Sequence, residues 1–184
     1  MVSQLVELRP RSDAPVQAKG QPPYCVEGLI QIFTAHHRSF FTTVMAQALT
    51  IAGQGTPVLV VQFLKGGINL GVARPMTLGQ HLDWVRCNVQ RCLHQNDLSE
   101  SEVKALAELW EFTQQAIRHS QYSLVVLDEL SLAVHLGLIP EAAVINLLEN
   151  RPRQLDIILT GPAVSPRLLE LADQVTELRR TYRT

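Results

Sequence analysis

The chain has 184 residues, enough for one sizeable core, and its 46% hydrophobic content with ten glycines and ten prolines excludes wholesale disorder. Sixteen basic residues against seventeen acidic ones leave no electrostatic footprint for nucleic acid and no basic face for an anionic membrane. No apolar run approaches the roughly 18 residues of a transmembrane helix.

Residues 1–25 are polar and carry Pro15, Pro22 and Pro23, so they read as a flexible or docking arm ahead of a single domain over 26–184. Their opening, MVSQLVELRPRSD, does not read as a signal peptide, because charge falls where the apolar stretch should be. GLIQIF (28–33) is the first strand candidate, followed by a helix over about 41–53 that Gly53-Gln54-Gly55 stops. Pro57 opens a second strand, PVLVVQFL (57–64), and the pattern beyond it predicts a helix over about 78–95. A long helix over 99–120 starts at Ser99, with Glu102 three residues on in capping-box register. SLVVLD (123–128) is the third strand. A helix over 140–149 opens at Pro140, LDIILTG (155–161) is a strand, Ser165-Pro166 starts a helix over 165–172, and QVTEL (174–178) closes the series. Near-continuous Val, Ile and Leu runs alternating with helices predict βαβ crossovers. The expected fold is α/β, three-layered, with a mainly parallel sheet covered on both faces.

Ligands bind beyond the carboxyl ends of strands in such sheets. Four stretches fall there: FTAHHRSFFTT (33–43), Lys65 in QFLKGG, Asp128-Glu129, and Thr160-Gly161-Pro162. A strand, a turn and a Thr-Thr pair opening a helix is the frame of a phosphate-binding loop, here with Ala35, His36, His37, Arg38, Ser39, Phe40 and Phe41 at its centre. Lys65 suits an anionic group or is a solvated loop lysine. Two carboxylates ending an apolar strand need partners; Asp128 either holds Mg²⁺, with Thr42, or caps the next helix. His36 and His37 adjoin, but spacing fixes no third metal ligand. Cys25, Cys87 and Cys92 are too few and too irregular for a disulfide framework or a zinc site, which points to reduced thiols in a cytoplasmic protein. Cys87, Cys92, Trp84 and Trp110 fall on expected helices as packing residues.

The order and spacing of IFT before the loop, TT after it, VVQFLKG, LVVLDEL, ENRP with IILTG, and LLELADQVTELR resemble the P-loop-type ATP:corrinoid adenosyltransferases. The resemblance implies transfer of the 5′-deoxyadenosyl group of ATP to the cobalt of a reduced corrinoid. It places Thr34, Arg38, Thr42, Thr43, Lys65, Asp128 and Glu129 at the nucleotide and Trp84 toward the corrinoid, with MgATP and corrinoid as ligands. The family's loop resembles TGNGKGKTT, whereas no glycine stands between Thr34 and Thr42 here, and Pro162 replaces an expected arginine. These departures predict a family member that has lost nucleotide-dependent catalysis and acts as a binding or regulatory protein, for a protein partner or a small molecule held in the remodelled pocket, with His36, His37, Phe40 and Phe41 as its remodelled loop. The alternative is a working adenosyltransferase. The resemblance also admits a homodimer.

Overall fold

The computed structural model describes residues 26–68, 70–94 and 98–179. The expected arm, 1–25, lies outside them. The elements run β1 (Ile30–Ala35), α1 (Thr42–Gly53), β2 (Val58–Gln62), β3 (Met76–Leu78), β4 (Leu82–Arg86), α2 (Glu100–Arg118), β5 (Leu124–Asp128), α3 (Leu130–His135), α4 (Glu141–Glu149), β6 (Asp156–Thr160), α5 (Pro166–Glu170) and β7 (Gln174–Leu178). One seven-stranded sheet has the order β3-β4-β2-β5-β6-β1-β7. Every pairing is parallel except the β3–β4 hairpin at one edge.

Side chains alternate across this sheet with period two, as strand geometry requires. Val58 and Val60 of β2, Leu124 and Val126 of β5 and Ile158 of β6 meet Val44, Met45 and Ala48 of α1 on one face. Leu59, Val61, Val125, Leu127, Ile157 and Leu159 point the other way. There they join Leu106, Leu109 and Ile117 of α2, Leu130 of α3, and Val144 and Leu148 of α4. Both faces of the central strands are therefore dry, which explains why those strands read as unbroken apolar runs. The expected three-layer α/β architecture is the observed one.

Helix boundaries have local causes. Ser99 caps α2 and accepts from the Glu102 N–H, while the Glu102 carboxylate accepts from the Ser99 N–H. Ser165 caps α5, with Pro166 at its first position. Pro140 is the N-cap residue of α4 and makes no side-chain cap bond.

The helix expected over 78–95 does not form. Its place is taken by the β3–β4 hairpin, turned at Gly79 with φ +65°, and by an irregular segment from Cys87 onward. Leu82, Val85, Val89 and Leu93 are all buried. Their spacing of three, four and four imitates a helical stripe. Trp84 and Cys87 are thus strand and strand-end residues, not helical ones.

Candidate functional site

Strand parity decides which polar side chains meet. Gln62, Asp128 and Thr160 end β2, β5 and β6, and Arg86 ends β4. Gln62 pairs in register with Arg86 on one side and Asp128 on the other. Even-numbered positions of β2, β5 and β6 face α1, so these four residues extend the α1-facing core as one polar rung across four strands.

The rung is hydrogen-bonded throughout. Gln62 donates from Nε2 to Asp128 Oδ2 at 2.6 Å, and its Oε1 accepts from Trp84 Nε1 at 2.9 Å and Arg86 Nε at 2.6 Å. Those two donors fix the amide orientation, since only the oxygen can accept. Lys65 Nζ reaches the same Asp128 oxygen at 2.6 Å. Thr160 donates to Asp128 Oδ1 at 2.7 Å and accepts from the Glu129 N–H at 3.1 Å. Asp128 is fully buried, and a buried carboxylate persists only with such partners. It does not cap α3, whose N-cap residue is Glu129.

Glu129 holds a left-handed backbone, φ +63°. That conformation costs a non-glycine residue about 1–2 kcal/mol. Its side chain is 2% exposed and pairs bidentately with Arg38, Nε to Oε1 at 2.5 Å and Nη2 to Oε2 at 2.6 Å. Arg38 also donates to the Leu93 and Leu64 carbonyls at 2.9 and 3.3 Å, and its Nη1 lies 2.6 Å from His94 Nδ1. These contacts use all five guanidinium N–H groups. The pairing with Glu129 raises the Arg38 pKa above its ordinary value, so it stays charged. Arg38 therefore staples the loop after β1 to the ends of β2 and β5 and to the segment after β4.

The two aromatic residues of that loop part company. Phe41 is buried and packs edge-on against Phe33, ring centroids 6.3 Å apart. Phe40 is about half exposed, with Lys65 Nζ 4.5 Å from its ring centre. Thr42 and Thr43 lie exposed in the opening turn of α1, and Thr34 is half-buried in β1. His36 and His37 are exposed with ring centroids 4.5 Å apart, at the rim of a cleft of about 430 Å³ shared with Leu178 and Arg179. No group of three or more metal-ligating side chains forms among the described residues.

A magnesium ion needs carboxylate oxygens open to it. Both Asp128 oxygens accept from protein donors, and the Lys65 ammonium already balances the charge. In this arrangement Thr42 and Asp128 do not fit the expected direct metal site.

Two close approaches hold the frame. A Cβ on Gly66 would run into the Val89 and Arg91 carbonyls, so glycine lets the Lys65 loop lie against the segment after β4. Gly161, at φ +134°, passes the Ser131 hydroxyl with no room for a side chain.

Lys65, Asp128, Glu129 and Arg38 are thus brought together at the strand ends. Trp84 joins them through Gln62. Gln62 and Arg86 were not singled out in the sequence, although each closes its strand, and Thr160 was named only as part of a strand-end stretch.

A mainly parallel three-layer sheet, with a buried aspartate ending the strand beside β2 and a loop leading into α1, defines a P-loop-type α/β protein. Residues 26–183 match the family model of the ATP:corrinoid adenosyltransferases BtuR/CobO/CobP, and the chain belongs to that family. It is 32% identical over 152 residues to the corrinoid adenosyltransferase of Escherichia coli K12, covering 83% of this chain and 76% of that one. The corrinoid adenosyltransferase CobA of Salmonella typhimurium is 30% identical over 152 residues, with the same coverage of each chain. The Sinorhizobium corrinoid adenosyltransferase is 29% identical over 164 residues, covering 83% of this chain and 72% of its own. Membership of an enzyme family, with several relatives named for the reaction, overturns the expectation of a member that lost catalysis and turned to binding. The altered loop centre is a sequence difference, and loss of function does not follow from it.

Proposed function

We propose that the chain is an ATP:corrinoid adenosyltransferase. The cobalt of a reduced corrinoid donates its electron pair to C5′ of ATP; the cobalt–carbon bond forms as the C5′–O bond breaks, and the electrons leave with the triphosphate. The observation that carries this reading is the Asp128 cluster at the strand ends. It holds the ammonium of Lys65 against the ring of Phe40, two residues before α1 opens, so that a cation and the positive end of a helix can both act on a triphosphate.

In this reading Lys65 is the mobile cation. Of the donors to Asp128 it alone is more than trace-exposed, 18%, so it can swing from the carboxylate to a phosphate while Gln62 and Thr160 keep Asp128 satisfied. Arg38, with every donor engaged, holds the loop in place. Phe40 screens Lys65 from water, which strengthens its field on an arriving anion.

The test is adenosylcorrinoid formation from MgATP and Co(I) corrinoid under anaerobic conditions, followed by the loss of Co(I) absorbance. Transfer that falls at least about 100-fold in Lys65→Ala, with the fold retained, is the expected result. No transfer and no MgATP binding at millimolar concentration overturn the proposal.

A further inference from the structure

Beyond the β4 end of the polar rung lies a cleft of about 160 Å³ between the turn at Gly71–Arg74 and α2. Its polar lining is Arg74, Arg86, Asn88 and Glu108. Arg86 is unusually prepared. Its Nε is tied to the buried Gln62 and its guanidinium lies 5.9 Å from the centre of the Trp84 ring, which fixes the plane of the fork. Its two terminal NH₂ groups make no hydrogen bond or ion pair among the described residues, and neither does the Arg74 side chain. Glu108 lines the same cleft, but its ion pair is with Lys104, at 3.9 Å.

We propose that this cleft is an anion subsite that takes a peripheral carboxylate of the corrinoid, gripped by Arg86 and Arg74; the assignment rests on the function proposed above. Size argues for a single group: ligand pockets run to several hundred Å³, and this one suits a carboxylate. A planar, pre-oriented fork with two free NH₂ groups matches carboxylate geometry. Position argues for the corrinoid in particular. Its ring carries a rim of acid-derived side chains, free or amidated, around the reacting cobalt. The rung from Arg86 through Gln62 to Asp128 spans two strand spacings, about 10 Å. A ring-sized substrate anchored by its rim at Arg86 therefore reaches the nucleotide side of the rung.

The experiment is equilibrium dialysis of unreactive Co(III) corrinoids, one with free peripheral carboxylates and one fully amidated, against the intact chain without ATP. The native chain is expected to prefer the carboxylated form, with a preference that shrinks as salt is added. Arg74→Gln, at an exposed position, weakens the carboxylated form about fivefold and leaves the amidated form unchanged. Glu108→Gln removes a repelling charge and tightens the carboxylated form. Equal weakening of both corrinoids, no tightening in Glu108→Gln, or inorganic phosphate binding as tightly as the carboxylated corrinoid overturns the assignment. Because binding is read without transfer, the two proposals fail separately. The predicted signs without adenosyl transfer sink the function alone, and transfer with indifferent substitutions sinks the subsite alone.

Discussion

At the scale of single residues, the Arg38–Glu129 pair should carry a measurable energetic signature. Removing Arg38 leaves the 2%-exposed Glu129 carboxylate without its cation, and such losses run to about 3–5 kcal/mol; removing Glu129 costs less, because the Arg38 side chain is 25% exposed and keeps its carbonyl partners. A double-mutant cycle with Arg38→Ala and Glu129→Ala, read by urea unfolding, should give a coupling of about 2 kcal/mol or more. Near-additive effects would mean that the staple adds nothing. The thiols make a second, cheaper test. Burial pushes Cys87 up to about 12, whereas Cys92 is exposed. In a Cys25→Ser background at pH 8, a disulfide reagent should titrate Cys92 in the native state and reach Cys87 only on unfolding. Much of this residue-level chemistry was legible in the sequence: a carboxylate pair after LVVL must find partners. The partners themselves were not, because Gln62 and Thr160 acquire meaning only once strand register sets them beside Asp128. The engagement of every Arg38 donor depends on carbonyls at Leu64 and Leu93 that no motif announces.

At the scale of elements, continuous apolar runs were reliable where a strand is buried on both faces, as in β2, β5 and β6. They failed at the sheet edge. β3 is exposed along its whole length and short, and the buried residues of β4 fall three apart, so Leu82 and Val85 merged with Val89 and Leu93 into a false helical stripe. Gly79 was the available signal, a glycine that a helix interior tolerates poorly and a hairpin needs. The six-residue α3 was anticipated only as a helix after Asp128 and given no bounds, because it is too short to show a period. The capping box of α2 was readable, and its worth can be measured. Ser99→Ala should lower stability by about 1 kcal/mol, seen as a shift in the urea midpoint with no change in slope. Ser99→Asp should restore most of it.

At the scale of the whole molecule, pH acts through groups that the fold keeps neutral. Cys87 is raised by burial, and Tyr122 is raised first by burial and then by its hydrogen bond to Asp83. For an acid whose folded pKa lies above its unfolded value, the unfolded chain loses its proton first. The stability that neutrality contributes is therefore complete below about pH 8.5, the ordinary thiol value, and falls as pH climbs toward 12. Thermal midpoints should drop between pH 8 and 10.5, and Cys87→Ala should flatten that slope even though it lowers the midpoint at pH 8. An equal slope in the variant would remove Cys87 as the cause. The three layers were predictable at this scale, since alternation of strand and helix leaves little else to build.

The reach of Arg38 has a consequence in time. Its contacts lie 26, 55 and 91 residues further along the chain, at Leu64, Leu93 and Glu129. A ribosome adding about 5–20 residues per second needs roughly 5–20 seconds to travel from Arg38 to Glu129. Throughout that interval the loop after β1 has been made but lacks the carboxylate that takes two of its Arg38 bonds. Its final shape waits on β5, so the cluster at the strand ends is completed late in synthesis, whatever order the helices take.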